Sequence, residues 1–266
     1  MLSNFHTHSV FCDGKNTLEE VVLSAIEKGF DSLGFSGHGH TDYDDRYCMK
    51  DESGYIREIN RLKEKYKDAL EIYLGVEEDA FSPLERSRFD YIIGSSHYLR
   101  VGGEYLPIDS SPDCFKVCLE AFRGDVTALA ESYYSAFCAY IRARRPDIIG
   151  HFDLITKYDE LSRSLFLESP AYNAIAERYA AYAAEADCLF EVNTGAIARA
   201  LRTSPYPAEN LLYLLKEMGA RLILSSDSHA ADTLDFAFEE TKLRLREIGF
   251  SRLYTLKGGK FISYSI

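Results

Sequence analysis

Short apolar runs alternate along the chain with longer segments whose apolar residues recur at helical spacing. The short runs are rich in β-branched and aromatic residues, which favours strands, and the segments between them are amphipathic, which favours helices. The predicted strands cover residues 2–6, 32–36, 70–76, 91–95, 148–152, 189–193 and 221–226. Alternation of this kind is typical of α/β folds with a parallel sheet.

Start and stop signals bound the predicted helices. Thr17 and Glu20 have the spacing of a capping box, so a helix is expected over residues 17–28. Pro146 ends a long helical segment over 113–145 that we expect to divide into two helices. Further helices are predicted over 54–67, 170–187, 208–218 and 233–248, and two short strands in the tail 253–266.

Strands with helical returns favour a distorted (β/α)7 TIM-like barrel, closed or nearly closed, over an open sheet. No linker, low-complexity segment or internal repeat interrupts residues 1–266, so a single domain is expected. The candidate ligands described below follow the predicted strands directly. The carboxyl ends of the strands are where α/β barrels build their active sites.

The composition is that of an ordinary globular protein, with 46% hydrophobic and 27% charged residues. A formal net charge of −12 disfavours nucleic acid or an anionic membrane surface as the partner. The chain has no apolar run long enough to span a bilayer and no signal-peptide pattern, so a cytoplasmic protein with reduced cysteines is expected. Nothing in the sequence specifies an oligomeric state.

All seven histidines lie in short motifs at the ends of predicted strands. The motifs are H-T-H-S with His6 and His8, S-G-H-G-H with His38 and His40, G-S-S-H-Y with His97, G-H-F-D with His151, and S-S-D-S-H with His229. Imidazole is the commonest nitrogen ligand of first-row metals, and carboxylates accompany it at Asp13, Glu77 and Asp227. This distribution predicts a multinuclear metallohydrolase.

Spacing within two of these motifs favours shared ligands. Residues two apart on a strand face the same side, so His6 and His8 are expected to reach one ion, and Asp227 and His229 have the same spacing. Asp13 follows on the turn after the first motif. An ordinary turn residue is the alternative interpretation of Asp13.

Glu77 directly follows the apolar run 70–76, the position that a ligand histidine has after its own strand. A carboxylate there is able to bridge two metal ions. A solvated charged run over 77–79 is the alternative interpretation.

Two arginines lie on a short loop after the strand 189–193. Arg199 and Arg202 stand between the sequences N-T-G and P-Y-P. Because guanidinium binds phosphate bidentately, this loop is a candidate phosphate clamp. Ordinary surface arginines are the alternative interpretation.

Taken in order, these motifs resemble those of the polymerase-and-histidinol-phosphatase (PHP) superfamily, in particular its histidinol-phosphate phosphatases. The resemblance extends from His6 to His229 and rests on H-T-H-S, C-D-G, S-G-H, G-V-E, G-S-S-H-Y, G-H-F-D-L, E-V-N-T-G-A-x-x-R-x-x-R-T-x-P-Y-P and S-S-D-S-H. It implies the PHP fold, a distorted seven-stranded barrel, and three divalent ions of zinc, manganese or iron.

Carried over position by position, the resemblance implies three metal positions. The first would be held by His6, His8, Glu77 and Asp227. The second would be held by Glu77, His97 and His151, with Glu77 bridging. The third would be held by Asp13, His38 and His229. Gly37 stands where family members often carry an acidic residue, so His40 is expected as a substitute ligand or a substrate contact, with a packed or exposed histidine as the alternative.

The activity implied by the resemblance is hydrolysis of L-histidinol phosphate, a small-molecule phosphate monoester, to L-histidinol and phosphate. The implied catalytic residues are Glu77, Asp227, His229 and His40, and the implied substrate contacts are Arg199, Arg202 and His40. Candidates for binding the substrate's amine and imidazole are Asp109, Asp153 and Glu191, and residues 105–145 are a candidate lid. The alternatives are a PHP-type enzyme acting on nucleotides or other phosphate monoesters, a protein tyrosine phosphatase, and a non-catalytic metal-binding module.

Overall fold

A computed structural model describes residues 1–161 and 164–266. The strands in this part of the chain are β1 (Ser3–Asn4), β2 (Ser32–Phe35), β3 (Glu71–Asp79), β4 (Tyr91–Ser95), β5 (Tyr98–Val101), β6 (Glu104–Pro107), β7 (Ile148–Ile149), β8 (Leu189–Asn193), β9 (Leu222–Ser225), β10 (Arg252–Lys257) and β11 (Lys260–Ser265). The helices are α1 (Leu18–Glu27), α2 (Glu52–Lys65), α3 (Pro112–Ala121), α4 (Val126–Arg144), α5 (Pro170–Ala184), α6 (Gly195–Ala198), α7 (Glu209–Glu217) and α8 (Phe238–Ile248).

The central sheet has the strand order β1-β2-β3-β4-β7-β8-β9-β10-β11 over the described residues. Within this sheet, neighbouring strands from β1 to β10 pair in parallel, and only β10 and β11 pair antiparallel. Just beyond β1 and β9, Thr7 and Ser228 form a parallel bridge, in which the His8 N–H donates to the Ser228 carbonyl at 2.8 Å. The predicted α/β class with a central parallel sheet is confirmed.

The helix boundaries follow local signals in the sequence. Both halves of the capping box at α1 are formed, with Thr17 Oγ1 accepting from the Glu20 N–H and Glu20 Oε2 accepting from the Thr17 N–H at 2.8 Å. The predicted division of 113–145 into two helices is confirmed, because Arg123 and Gly124 adopt positive φ between α3 and α4. α4 ends before Pro146, as expected.

One predicted helix begins later than its pattern indicates. The segment expected to be helical from residue 233 starts instead with a 3-10 turn over Ala231–Thr233. α8 begins at Phe238, because Ala237 has a φ of 59° and interrupts the helical geometry.

The β5–β6 hairpin was not predicted from the sequence. Gly102 and Gly103 form its turn with φ values of 61° and 96°. The same signal, Gly258 and Gly259, forms the β10–β11 turn that the sequence did predict. The hairpin matters because it stands beside the site described below.

A layer of apolar side chains lies under the site. Its members are Phe5 and side chains from β3, β4, β7, β8, β9 and β10. Where a strand also carries a residue of the site, the apolar residue comes earlier in the chain than the site residue. Tyr91 packs within this layer, where its hydroxyl donates to the Phe5 carbonyl at 2.6 Å and also lies 3.1 Å from the Phe35 carbonyl. Gly34 and Gly75 are required here, because a Cβ at either position would overlap the Tyr91 side chain.

Two further apolar clusters cover the outside of the sheet. One packs α1 and α2 against β2 and β3, and the other packs α4, α5 and α7 against β7, β8 and β9. None of the helices in residues 1–161 and 164–266 combines the length and the apolar character that a bilayer span requires.

Candidate metal centre

The strand ends bring the predicted ligands to one place. His6 and His8 follow β1, Glu77 lies near the end of β3, and His97 lies two residues beyond β4. A parallel bridge between His38 and Glu77 extends the β2–β3 pairing past the end of β2. Parallel strands in register deliver their carboxyl ends to the same edge of the sheet, so the side chains converge there.

The Glu77 carboxylate occupies the middle of the centre and is 1% exposed. Its Oε2 faces His38 Nδ1 at 2.8 Å and His6 Nε2 at 3.2 Å, and its Oε1 faces His151 Nε2 at 2.9 Å and His97 Nε2 at 3.3 Å. Each oxygen therefore faces a different pair of imidazoles. That is the arrangement a carboxylate needs to join two ions.

Asp227 closes the side of the centre next to β9. Its Oδ1 lies 3.2 Å from His8 Nε2, and its Oδ2 accepts from Arg199 Nη2 at 2.9 Å. The backbone of Asp227 has a φ of 47°, a left-handed conformation that costs energy for a residue with a Cβ. The chain holds this conformation at the point where Asp227 enters the centre.

Asp13 forms the outer edge of the centre. Its Oδ2 lies 3.3 Å from His229 Nε2, and its Oδ1 lies 3.6 Å from His38 Nε2 and 3.8 Å from His8 Nδ1. The His8 and His229 rings stack with their centroids 4.1 Å apart. Asp13 is the most open of these groups, with 35% of its side chain exposed.

Four groups of side chains in the described chain are able to hold a metal ion, with the ligand atoms of each group lying within 4.8 Å of one another. They are His8, Asp13, His38 and His229; His6, Glu77 and His151; His6, His8 and Asp227; and His38, Glu77 and His97. Every predicted metal ligand belongs to at least one group. The structure differs from the predicted sets in placing His8 with the Asp13 group and His38 beside Glu77 and His97.

The residues present fit a cluster of divalent cations. His6 Nε2, His8 Nε2 and Glu77 Oε2 are buried and lie close to other polar atoms of the centre, but none of the three makes a contact with hydrogen-bond geometry among the described residues. Buried polar atoms without partners are costly, and bound cations would satisfy all three. The mixture of imidazole nitrogen and carboxylate oxygen suits zinc, manganese and iron.

Burial and neighbouring charges set the protonation of the centre. Burial raises the pKa of Glu77, but His6 and His38 hold that pKa well below its usual range. Burial also raises the pKa of Asp227, and Arg199 and His6 hold it well below its usual range. Burial, together with His229 and His38, lowers the pKa of His8 to about 3. These two carboxylates are therefore ionised and His8 is neutral at neutral pH, the forms that bind a cation. Burial lowers the pKa of His6, but Glu191 and Glu77 hold that pKa well above its usual value, so His6 would release a proton when a cation binds.

Two buried carboxylates orient imidazoles of the centre. Glu191 Oε1 faces His6 Nδ1 at 2.6 Å, and its Oε2 accepts from the backbone N–H of His151 at 2.8 Å. Asp79 Oδ2 faces His97 Nδ1 at 3.3 Å, while Asp79 Oδ1 accepts from the Tyr43 hydroxyl at 2.6 Å. A carboxylate on the outer nitrogen of a histidine fixes the ring and raises its basicity as a ligand.

This role of Glu191 was not predicted from the sequence, in which Glu191 was a candidate for binding the substrate. Glu191 and Asn193 are two apart on β8 and share a face, and the Asn193 side chain donates to Glu191 Oε2 at 3.0 Å.

A cavity of about 550 Å³ opens above the centre. Candidate ligands line its floor, among them Asp13, His38, His97, His151, Asp227 and His229. Its walls include Asp44 and Tyr47 from the segment after β2, Tyr98 from β5, Asp109 from the segment after β6, and Lys157. α3 and α4 contribute no residue to the lining, so of the candidate lid 105–145 only the segment before α3 reaches the cavity.

Arg199 reaches the cavity and Arg202 does not. Arg199 lines it and donates to the Asp227 carboxylate and carbonyl. The Arg202 side chain is fully buried behind the cavity, where it donates to Thr156 Oγ1 at 2.8 Å and lies over the Tyr206 ring. Two arginines on one short loop thus point to different environments, because the chain turns at Ala200, which has a φ of 54°.

His40 is also absent from the cavity lining. Its side chain is 50% exposed, and its Nε2 lies 3.2 Å from Asp42 Oδ1. The spacing of His38 and His40 places both on one face only if the strand continues. β2 ends at Phe35, and the chain leaves the sheet after the Gly39 N–H donates to the Glu77 carbonyl.

One protein family and several named proteins are similar to this chain. The family model described as "PHP domain" matches residues 4–195. The chain is 29% identical over 279 residues to the protein of Schizosaccharomyces pombe named "Probable histidinol-phosphatase", covering 96% of this chain and 89% of that one. It is 29% identical over 265 residues to the "Histidinol-phosphatase" of Bacillus subtilis, covering 88% of this chain and 96% of that one.

A solved structure has the same fold. The histidinol phosphate phosphatase of Lactococcus lactis, crystallised with Zn, L-histidinol and phosphate, superposes with a TM-score of 0.74 at 20% identity. The superposition covers 98% of each chain, so the likeness extends over the whole fold.

Proposed function

The chain belongs to the PHP domain family, and from that premise we propose that it is a metal-dependent phosphatase that hydrolyses L-histidinol phosphate to L-histidinol and phosphate. The relatives that align over most of this chain carry the name histidinol-phosphatase. The observation that carries the proposal is the convergence of six histidines and three carboxylates beneath one cavity. A regulatory module would not need so complete a ligand set beneath an accessible cavity.

Three metal positions are proposed from these side chains. His6, His8, Glu77 and Asp227 would hold the first ion. Glu77, His97 and His151 would hold the second. Asp13, His38 and His229, with His8 beside them, would hold the third. Ions bound there would supply Lewis-acid contacts to phosphoryl oxygens and would lower the pKa of a water molecule.

The protein's own contribution is to orient the phosphoryl group and to fix the ligands. Arg199 lines the cavity beside Asp227 and keeps its positive charge at every working pH, so it is suited to bind a phosphate oxygen. Glu191 and Asp79 hold the His6 and His97 rings in place. Rigid placement of this kind costs no reorganisation at the moment of reaction.

We also propose that the parallel strands form a distorted (β/α)7 barrel and that residues 1–266 are one domain. The Thr7–Ser228 bridge supports closure, because it hydrogen-bonds the first strand of the parallel series to the segment following β9. The apolar layer under the site also supports it, since strands from both ends of the sheet contribute to that one cluster.

Phosphate release tests the proposed function. Metal-replete enzyme would be assayed with L-histidinol phosphate, a nucleoside monophosphate and phosphotyrosine, beside enzyme treated with a chelator. We expect kcat/KM for histidinol phosphate to exceed the others by orders of magnitude and activity to disappear on chelation. Equal rates on all three substrates would contradict the substrate, and activity that survives demonstrated metal removal would contradict the mechanism.

A further inference from the structure

The proposed function leaves one end of the substrate without a binding partner. L-Histidinol phosphate carries a phosphate at one end and an ammonium and an imidazole at the other. The phosphate belongs at the candidate metal centre and Arg199, where an ammonium would be repelled. The ammonium therefore needs a carboxylate elsewhere in the cavity wall.

Two of the three carboxylates that the sequence suggested for this purpose are excluded. Asp153 is fully buried, accepts from the Ala208 N–H at 2.9 Å and lies beside Arg202. Glu191 is fully buried under His6. Neither side chain lines the cavity.

Asp44 and Asp109 remain as carboxylates of the cavity wall outside the metal centre. Both oxygens of Asp44 are occupied, Oδ1 by Arg46 Nε at 2.8 Å and Oδ2 by the Tyr98 hydroxyl at 2.9 Å. Asp109 is different. Its Oδ2 accepts from Lys157 Nζ at 2.9 Å, and none of the residues in 1–161 and 164–266 donates to its Oδ1.

Tyr47 offers a second unsatisfied group in the same wall. Its hydroxyl is buried and makes no contact of good hydrogen-bond geometry in the described part of the chain, although the Tyr98 hydroxyl is a polar neighbour. Its ring stands nearly perpendicular to His38, with the centroids 4.8 Å apart, so the side chain is fixed beside the metal centre. A buried hydroxyl of this kind costs free energy until a partner is supplied.

We propose that Asp109 binds the substrate's ammonium group through Oδ1 and that the Tyr47 hydroxyl hydrogen-bonds the substrate's imidazole. The inference rests on the proposed function and names the residues that select the substrate. Lys157 keeps the Asp109 carboxylate ionised and fixed. The hydrogen bond from Tyr98 to Asp44 joins β5 to the segment that carries Tyr47. An amine-free or imidazole-free phosphate would leave one of these groups unpaired.

Matched substrates separate the two contacts. The desamino analogue, imidazolyl-propyl phosphate, lacks only the ammonium, and L-phenylalaninol phosphate replaces the imidazole with a phenyl ring. The measured quantities are two ratios of kcat/KM, histidinol phosphate over the desamino analogue and histidinol phosphate over phenylalaninol phosphate. Because both substrates of a ratio share the metal centre, a damaged centre alters both rates and leaves the ratio unchanged.

Asp109→Asn is expected to lower the first ratio about ten- to a hundredfold, the range for a hydrogen bond to a charged group, and to leave the second unchanged. Tyr47→Phe is expected to lower the second ratio about three- to tenfold, the range for a neutral hydrogen bond, and to leave the first unchanged. Asp113→Asn is the matched control. Asp113 also pairs with a lysine, Lys116 at 2.7 Å, but is exposed at the start of α3.

The outcomes separate the inference from the proposed function. A wild-type enzyme that is active but has a first ratio near one, or an Asp109→Asn variant that keeps the wild-type first ratio, would overturn the Asp109 assignment. A Tyr47→Phe variant that keeps the second ratio would overturn the Tyr47 assignment even if Asp109→Asn does not fold. A wild-type enzyme with no activity on histidinol phosphate would overturn the proposed function itself.

Discussion

The inner and outer parts of the centre both contain histidine and a carboxylate, but they are built differently. We call His6, Glu77, His97 and His151 the inner group and Asp13, Arg199 and His229 the outer group. No member of the inner group is more than 5% exposed. The outer side chains are 35, 32 and 24% exposed, in the order given.

The two groups also differ in how they are held. Inner side chains lie on strands or within two residues of them, and Glu191 and Asp79 fix two of their rings from behind. Outer side chains lie on turns beyond the strands and face the cavity. The difference indicates that the inner group would hold the first and second ions, whereas the outer group would hold the third ion through Asp13 and His229 and would meet the substrate through Arg199. Substitution of an inner ligand should therefore remove the first two ions, and substitution of Arg199 should slow turnover while metal remains.

The largest effect is expected at Glu77, because Glu77 is a proposed ligand of both the first and the second ion. Glu77→Gln should lose bound metal and should lower kcat/KM by more than about 10³-fold, above the usual cost of deleting one electrostatic contact. Elemental analysis and phosphate release on the same sample measure this. Glu104→Gln, an exposed glutamate on β6, is the control. Full metal content together with full activity in Glu77→Gln would contradict the assignment of the inner group as metal ligands.

Arg202→Leu should act on stability, because Arg202 belongs to neither group. The substitution leaves the buried Asp153 carboxylate without its cation, which typically costs about 3–5 kcal/mol. Urea unfolding should show this loss at neutral pH, while metal content per folded molecule stays at the wild-type value. A variant with wild-type stability and a raised KM would instead place Arg202 among the substrate contacts.

Arg199→Lys should show the behaviour of the outer group. Lysine keeps the charge but loses the planar fork that contacts the Asp227 carboxylate and carbonyl. We expect kcat/KM to fall about 10²-fold, as for loss of one aligned donor, with metal content retained. Loss of metal in step with activity would place Arg199 with the inner group.

Glu191→Gln should give the smallest of these effects. The glutamine side chain would retain the shape of the glutamate but would present a weaker acceptor to the His6 ring, and substitutions of this kind weaken metal affinity about 10- to 100-fold. Competition with a chelator measures the affinity, and excess metal should restore activity. Unchanged affinity would mean that burial alone orients His6.

Local signals in the sequence account for most of the fold. The strands could be predicted because apolar runs end at ligand motifs, and α1 because Thr17 and Glu20 form their capping box within four residues of chain. The β5–β6 hairpin was missed because Tyr98–Val101 and Glu104–Pro107 are short and partly exposed, so neither gives a clear apolar run. The start of α8 depends on the φ of Ala237, which no residue preference indicates.

The site was predictable where a motif fixes a side chain along its own strand. His40 and Arg202 lie outside the cavity lining for a common reason. Both assignments assumed that spacing in sequence persists after the chain turns, at Gly39 and at Ala200. Glu191 contacts His6 across the sheet, 185 residues away in the chain, and no pattern within β8 indicates that partner.

We propose above all that Glu77 would join two ions held by different imidazoles. Anomalous diffraction from crystals of the metal-replete enzyme, recorded at the absorption edges of zinc, manganese and iron, tests it most directly. The expected result is an anomalous peak at each Glu77 oxygen, with the two peaks about 3.5–4 Å apart. A single peak, or peaks that contact His6 and His97 without Glu77 between them, would contradict the claim.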